Sequence, residues 1–529
     1  MNSDLSENIS LRRTFAIISH PDAGKTTLTE KLLLYSGKIR SAGMVRGSKK
    51  GKFAASDWMS LEQERGISIT ASAMQFSYKN NVINILDTPG HEDFSEDTYR
   101  TLTAADCAIM VIDAAKGVEK QTRKLFEVCR LRKIPILTFI NKMDMPGRDP
   151  IDLMDEVENV LGIKSFAYNW PVGQGKQFHG VWDRMENKYL IFSKSSSGSS
   201  DRASMDAYGP DHPYIEQLIG KQDLESLQKE VSLLDEAGNS FSKQEFLLGQ
   251  VTPVFFASAL SNYGVEPFFE AFIELAPPPS GRVADTPNGQ EIFIDPVKDP
   301  FSAYVFKIQS NMDRNHRDSL AFLRICSGNF QKDMTVKHHR LERSIRLSRP
   351  QSMFAGERTT LESAVAGDII GVINPGLFYI GDTVSVTGGF EFKPLPQFQP
   401  EIFAKVTPKD ISKRKSFDKG VKQLADEGAI QILYSQDGYD NLIYGAIGKL
   451  QFEVMQYRLM DEYRSQTDLV FLPYQCSAWI KGEISSYEKP FGSLLVKDRA
   501  GRFMCLFQSQ WEKEYAAKKN PSIELVDIQ

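Results

Sequence analysis

Five short apolar runs, each ending at a polar or glycine-bearing loop, constrain this 529-residue chain more than any other feature. They are TFAIIS (14–19), VINILD (82–87), CAIMVID (107–113), IPILTFIN (134–141) and TPVFFAS (252–258). None alternates cleanly between apolar and polar, so each reads as a strand covered on both faces. Helix-like stretches such as VEKQTRKLFEVCRLRK (118–133) separate them. Strands of this kind joined by helices predict an open α/β domain with a parallel sheet and crossover connections.

The loops after these strands carry the chemistry. SHPDAGKTT (19–27) lies between TFAIIS and the helix-like TLTEKLLLYS, and places Gly24, Lys25 and Thr26 on the phosphate-loop pattern G-x-x-x-x-G-K-[ST]. Ser19 stands where that pattern has glycine, which a negative φ permits. In this context the loop Asp22, Ala23, Gly24 and the helix start Lys25, Thr26, Thr27 face phosphates with backbone N–H groups. Lys25 reaches the β and γ oxygens, and the Thr26 hydroxyl can ligate Mg²⁺.

INILDTPGHED (83–93) delivers Asp87 to a strand end, suited to Mg²⁺ directly or through water, and Gly90 can offer its N–H to a γ-phosphate. His91 follows, either a surface turn residue or a group that orients an attacking water. FINKMD (139–144) places Asp144 where a carboxylate can accept from guanine N1–H and the exocyclic amine, donors that adenine lacks. Asn141 and Lys142 would brace that loop and cover the base, and Ser258, Ala259 and Leu260 would add a backbone donor to guanine O6. Four such pieces in order define a GTP/GDP site. They suit a GTPase switch, a nucleotide-gated binding module or a metabolic phosphoryl-transfer enzyme, although no acceptor pocket is evident for the last.

The remaining sequence divides the chain. The alternation lapses from 166 to about 250, read as an insertion with a Ser-rich loop (193–201) and a helix over 214–234. APPPSGRVADTPNG (276–289) reads as a break in both helix and sheet. Beyond it AYVFKIQS, SLAFLRICSG, MTVKHH, DIIGVIN and DTVSV predict a small β-barrel, and after FKPLPQFQP (392–400) a mixture of helix-like and strand-like runs predicts an α+β domain. The expected domains are 1–280, 290–391 and 397–529.

Composition removes other classes. No apolar run nears the ~20 residues that span a bilayer, and TFAII is too short for a signal peptide, so a cytoplasmic protein with no membrane association is expected. Five scattered cysteines without a C-x-x-C pair argue against a disulfide framework or zinc site. A net charge of −5 excludes a globally basic nucleic-acid binder, yet VKHHRLERSIRLSR (336–349) and KVTPKDISKRK (405–415) are locally basic and predict contacts with an RNA backbone.

Residues 19 to 260 resemble the guanine-nucleotide-binding domain of the translational GTPases, where H-x-D-A-G-K-T-T is typical. SDWMSLEQERGISIT (56–70) falls where that family has its first switch, with Ser68 in place of the usual Mg²⁺-coordinating threonine. GMVRGSKKGKFAASDWM (43–59) narrows the likeness to the bacterial class II release factors, the peptide chain release factor 3 family, while PVGQGKQFHGVWD (171–183) is similar to the start of the insertion that this family shares with elongation factor G, and AGDIIGVINPGLFYIGDT (366–383) resembles the barrel domain that follows. After GKLQFEVMQYRL about 70 residues remain, too few for the further domains of elongation factor G. The resemblance implies a monomeric, ribosome-dependent GTPase that promotes departure of class I release factors from the terminating ribosome. It also implies that His91 acts on the water only when ribosomal RNA positions it, beneath an apolar gate of Pro21 and Ile67.

Overall fold

The structure, a computed structural model, describes residues 2–37, 62, 68–193, 202–310, 319–348, 350–354, 357–395, 397–435 and 442–528. Most of the first-switch segment, including Ile67, and most of the Ser-rich loop lie outside the described residues. The N-terminal domain is built on β1 (Arg12–Ser19), β2 (Ser72–Tyr78), β3 (Asn81–Asp87), β4 (Cys107–Asp113), β5 (Ile136–Asn141) and β6 (Lys164–Ala167). An insertion contributes β7 (Asn169–Val172), β8 (Gly180–Asp183), β9 (Lys188–Ser193) and β10 (Ser204–Tyr208), after which β11 (Val251–Phe256) returns to the main sheet.

That sheet has seven strands in the order β2-β3-β1-β4-β5-β11-β6. All neighbours run parallel except the edge pair β2 and β3. Alternation along β1 shows why its sequence lacks polar residues: Ala16 and Ile18 enter one apolar core, Phe15 and Ile17 the other. The parallel, doubly covered sheet therefore agrees with the expectation from the apolar runs.

The insertion forms an antiparallel sheet, β10-β9-β8-β7, closed by helices over Pro213–Ile219 and Lys221–Ala237 around buried Trp170. The single helix expected over 214–234 is two, because Gly220 takes φ 86° between them. A second difference lies in 276–289. Its prolines follow the helix Val265–Leu275, but Arg282–Asp285 is a strand, paired with Glu291–Ile294 and Glu391–Phe392. Backbone N–H groups resume after the prolines, so a ladder can form there.

The middle domain is an antiparallel sheet of eight strands, including Ser302–Ser310, Ser319–Ser327, Thr335–His338, Ile369–Ile373 and Thr383–Ser385. The last domain is another eight-stranded sheet, with helices Arg414–Asp426, Lys449–Asp461 and Gln510–Lys519. All five cysteines are buried free thiols. No helix among the described residues is long and apolar enough to cross a membrane.

In the basic segment 336–349 the described lysine and arginines, Lys337, Arg340, Arg343 and Arg346, are exposed, and the inward positions hold other residues. Val336, His338 and Leu347 point into the barrel, with His338 Nε2 3.1 Å from an Asp382 oxygen, and Arg340 pairs with that carboxylate at 2.7 Å. Alternation along its strand turns every second side chain inward. In the second segment Lys409 lies near Asp468 and Arg414 binds Asp418, and both are exposed, as are Lys413 and Lys415.

The barrel is anchored to the N-terminal domain by buried polar contacts. Arg324 pairs with Asp106 at 2.5 Å. The Gly367 carbonyl accepts from Arg324, from Thr14 Oγ1 at 2.7 Å and from Asn84 at 3.3 Å. Tyr304 donates its hydroxyl to the Thr103 carbonyl at 2.5 Å.

Candidate nucleotide site

The carboxyl ends of β1, β3, β5 and β11 bring the four sequence pieces to one edge of the sheet, the usual ligand position of an open α/β fold. Between β1 and the helix Lys25–Tyr35 the chain turns through Asp22 at φ 66° and Gly24 at φ 97°. Gly24 is required twice. Its φ is left-handed, and a Cβ there would fall 2.2 Å from Asn141 Nδ2. No side chain caps this helix, which leaves its first N–H groups facing the loop. Ser19 is absent from the positive-φ positions, consistent with a non-glycine there.

Asn141 ties the loops together. Its Nδ2 donates to the Ala23 carbonyl at 2.8 Å, and its Oδ1 accepts from Ala259 N at 2.9 Å. Lys142, with φ 70°, sends Nζ to the Asp22 carbonyl and to Asp113 Oδ2, each at 2.6 Å. One amide and one ammonium thus hold the phosphate loop, the FINKMD loop and the Ser258–Ala259 turn in a fixed arrangement. Asp113 was not singled out in the sequence. Its signal is the acid at the end of CAIMVID, the same position that Asp87 holds in VINILD.

Lys25 and Asp87 are both buried and pair with each other, where the sequence directs them toward phosphate and Mg²⁺. Opposite charges withdrawn from water this far must be neutralised locally, and each is the other's nearest partner. Asp87 Oδ2 and Asp144 Oδ1 are buried with no hydrogen-bond partner among the described residues. A buried acceptor left unpaired is costly, so each marks a position that a donor or a cation fits. Asp87 Oδ2 suits a Mg²⁺-bound water and Asp144 Oδ1 a purine N–H. Near the second, burial and then the Asp144 carboxylate push the Tyr263 phenol above its ordinary pKa.

Other predicted residues are less closely gathered. Thr26 and Thr27 are half-buried in the first helical turn, Ser68 is half-buried ahead of β2, and Leu260 is exposed while Ser258 and Ala259 are buried. A Cβ on Gly90 would sit 3.5 Å from Pro21 Cα, so the β3 loop and the phosphate loop are in contact. His91 is 37% exposed and caps the turn Glu92–Phe94, its Nδ1 accepting from Asp93 N at 3.2 Å.

With this geometry established, comparison with known proteins fixes the class. Residues 10–278 match the elongation factor Tu GTP binding domain, and residues 300–387 match elongation factor G domain 2. The chain is therefore a GTP-binding translation factor. Residues 392–517 match the C-terminal domain of class II release factor RF3. Proteins called peptide chain release factor 3 from Acaryochloris marina and Symbiobacterium thermophilum are each 49% identical, covering 100% and 98% of this chain and 97% and 98% of their own. The chain belongs to the peptide chain release factor 3 family. A crystal structure of a protein from Thermus thermophilus shares the fold at a TM-score of 0.68 and 19% identity, over 92% of this chain and 72% of its own.

Proposed function

We propose that this protein is a ribosome-stimulated GTPase of translation termination that promotes dissociation of class I release factors after peptide release. The observation that carries the reading is the pair of unpartnered buried oxygens, Asp87 Oδ2, beside Lys25 of the phosphate loop, and Asp144 Oδ1, on the loop that Asn141 braces to that same phosphate loop. They suit a Mg²⁺-bound triphosphate at one end and guanine at the other. Full-length similarity to release factor 3 proteins supplies the termination context.

In this reading the backbone from Asp22 to Thr27 cradles the phosphates. Lys25 exchanges its bond with Asp87 for phosphate oxygens. Thr26, Ser68 and Asp87 would hold Mg²⁺, which would neutralise charge on the phosphates. Gly90 N–H senses the γ-phosphate. Asp144 reads guanine while Lys142 covers the ring, and Ser258, Ala259 and Leu260 present a backbone donor to O6. His91 orients water for attack, giving GDP and phosphate, once ribosomal RNA fixes it. Loss of the γ-phosphate then releases contacts worth a few kcal/mol, enough to exchange two domain arrangements. The protein acts as a monomer in the cytoplasm.

The test is steady-state GTP hydrolysis with and without ribosomes, alongside departure of a labelled class I release factor from termination complexes. Stimulated hydrolysis with faster departure is expected. Stimulation without departure would point to a translocase-like role, and no stimulation would overturn the reading. At the base site, Asp144→Asn is expected to shift preference from GTP toward xanthosine triphosphate by about 10-fold or more, as a carboxylate-to-amide change reverses donors. Unaltered GTP affinity would remove Asp144 from that site.

A further inference from the structure

The turn that carries His91 is bonded to a domain more than three hundred residues away in sequence. Asp93 N donates to His91 Nδ1, so that nitrogen carries no proton and the neutral ring holds its proton on Nε2. The Asp93 carboxylate lies beside the ring but takes its hydrogen bond from the other domain. Its Oδ1 is 3.4 Å from His91 Nδ1, and its Oδ2 accepts from Leu450 N at 2.8 Å, in the first turn of the helix Lys449–Asp461.

That helix has glycine at its N-cap, a residue with no side chain to satisfy the first N–H groups. Asp93 supplies the cap from the nucleotide-binding domain, where the positive end of the helix also favours its charge. Gly448 has φ −138° and ψ 164°, extended backbone open to any residue. Conformation therefore does not call for glycine. Space does: a Cβ would land 1.8 Å from Asp93 Cγ and 2.0 Å from Oδ2. The missing side chain of one domain is filled by the carboxylate of the other.

Apolar contacts fix the same junction. Phe94, next to Asp93, is buried with Ile69 and Val454, and Leu450 and Tyr457 pack against them. Ile69 directly follows Ser68, the proposed Mg²⁺ ligand. One small cluster thus joins the residue after a metal ligand, the residue after the capping carboxylate, and the C-terminal domain.

We propose that Asp93 is a positioning residue, through which docking of the helix Lys449–Asp461 sets the orientation of His91. With the helix in place, the carboxylate is held by Leu450 N and the Asp93 N–H points at Nδ1. When the helix moves away, the carboxylate loses its donor, and the turn loses the contact that fixes its direction. The C-terminal domain then gates hydrolysis by a bond to the turn rather than by touching nucleotide. This rests on the water-orienting role proposed for His91.

The test uses full-length protein and measures ribosome-stimulated GTP turnover, the KM for ribosomes, GDP affinity and thermal midpoint. Asp93→Ala and Gly448→Ala are each expected to lower kcat by about 10-fold or more, with GDP affinity and KM within about two-fold of the wild type. The double variant is expected to be no slower than either single, because removing the carboxylate makes room for the new methyl group. Asp93→Asn keeps an oxygen for Leu450 N and is expected to restore most of the turnover. Unchanged kcat in Asp93→Ala, additive losses in the double variant, or a kcat loss that follows the thermal midpoint alone would overturn the proposal. His91→Ala is run in parallel to separate the two readings. If it retains stimulated turnover, the role of His91 fails and the proposal falls with it; if it is inactive while Asp93→Ala is fully active, only the proposal falls.

Discussion

The barrel and the C-terminal domain both rest on the N-terminal domain, but by different physical means. Under the barrel lies the Arg324–Asp106 ion pair, both side chains almost fully buried, beside a Gly367 carbonyl that accepts from side chains on two strands of the neighbouring domain. The main apolar core also runs across this boundary, from Leu102 and Ala104 into Tyr304 and Phe322. The C-terminal domain instead meets the helix Ser95–Thr103 and the turn before it through separate contacts. These are the Asp93 cap, the small Phe94 cluster, a Tyr99–Phe398 ring pair at 4.4 Å, and Gly428 against the Arg100 guanidinium.

The difference is one of cost on separation. Parting the barrel would strand buried charges and divide a continuous core, losses that add to many kcal/mol. Parting the C-terminal domain breaks contacts worth about 1 kcal/mol each, within reach of nucleotide or ribosome binding. One buried charge complicates this picture. Burial raises the Glu96 carboxyl above its usual pKa, although Arg100 on the next turn pulls it down. Their charge is balanced within one helix, so the pair need not break when the C-terminal domain moves, although Glu96 then loses the bond it accepts from the Phe398 backbone.

Three substitutions would break or sharpen the contrast. The largest effect is expected from Arg324→Ala, which leaves Asp106 buried and unpaired and should cost about 3–5 kcal/mol in denaturant unfolding. A loss below ~1 kcal/mol would show that the barrel is not held by this pair. Val454→Ala should cost about 1–2 kcal/mol and act locally, raising amide exchange over 90–97 while leaving exchange in β1 and β4 unchanged. Equal acceleration across the sheet would mean that the two contacts are one cooperative unit. Phe398→Leu should cost the least, about 0.5–1.5 kcal/mol from the ring pair, with no change in GDP affinity by titration. A weakened GDP affinity would tie this contact to the nucleotide loops.

Much of the candidate nucleotide site was legible because strand and loop are adjacent in sequence there. VINILD and IPILTFIN place Asp87 and Asn141 at strand ends whatever else the chain does, and the α/β sheet follows from strands buried on both faces. In the basic segment 336–349 the sequence shows charge without showing its face, and the strands put Lys337, Arg343 and Arg346 outside while Val336 and His338 turn inward. Asp113 was passed over for lack of a motif, though its strand-end position matched that of Asp87. The four strands from Thr467 to Phe507 and the helix Gln510–Lys519 were not delineated within the expected α+β domain.

By itself, then, the sequence determined the doubly covered sheet, its glycine-bearing loops and their order, because each depends on neighbours within a few residues. Only the tertiary structure decided that Lys25 pairs with Asp87, that Lys142 meets Asp113, and that Asp93 caps a helix beginning at Lys449. Those pairings lie 62, 29 and 357 residues apart. Hydrogen bonds and excluded volume act over a few ångströms of space, and separation along the chain carries no record of it.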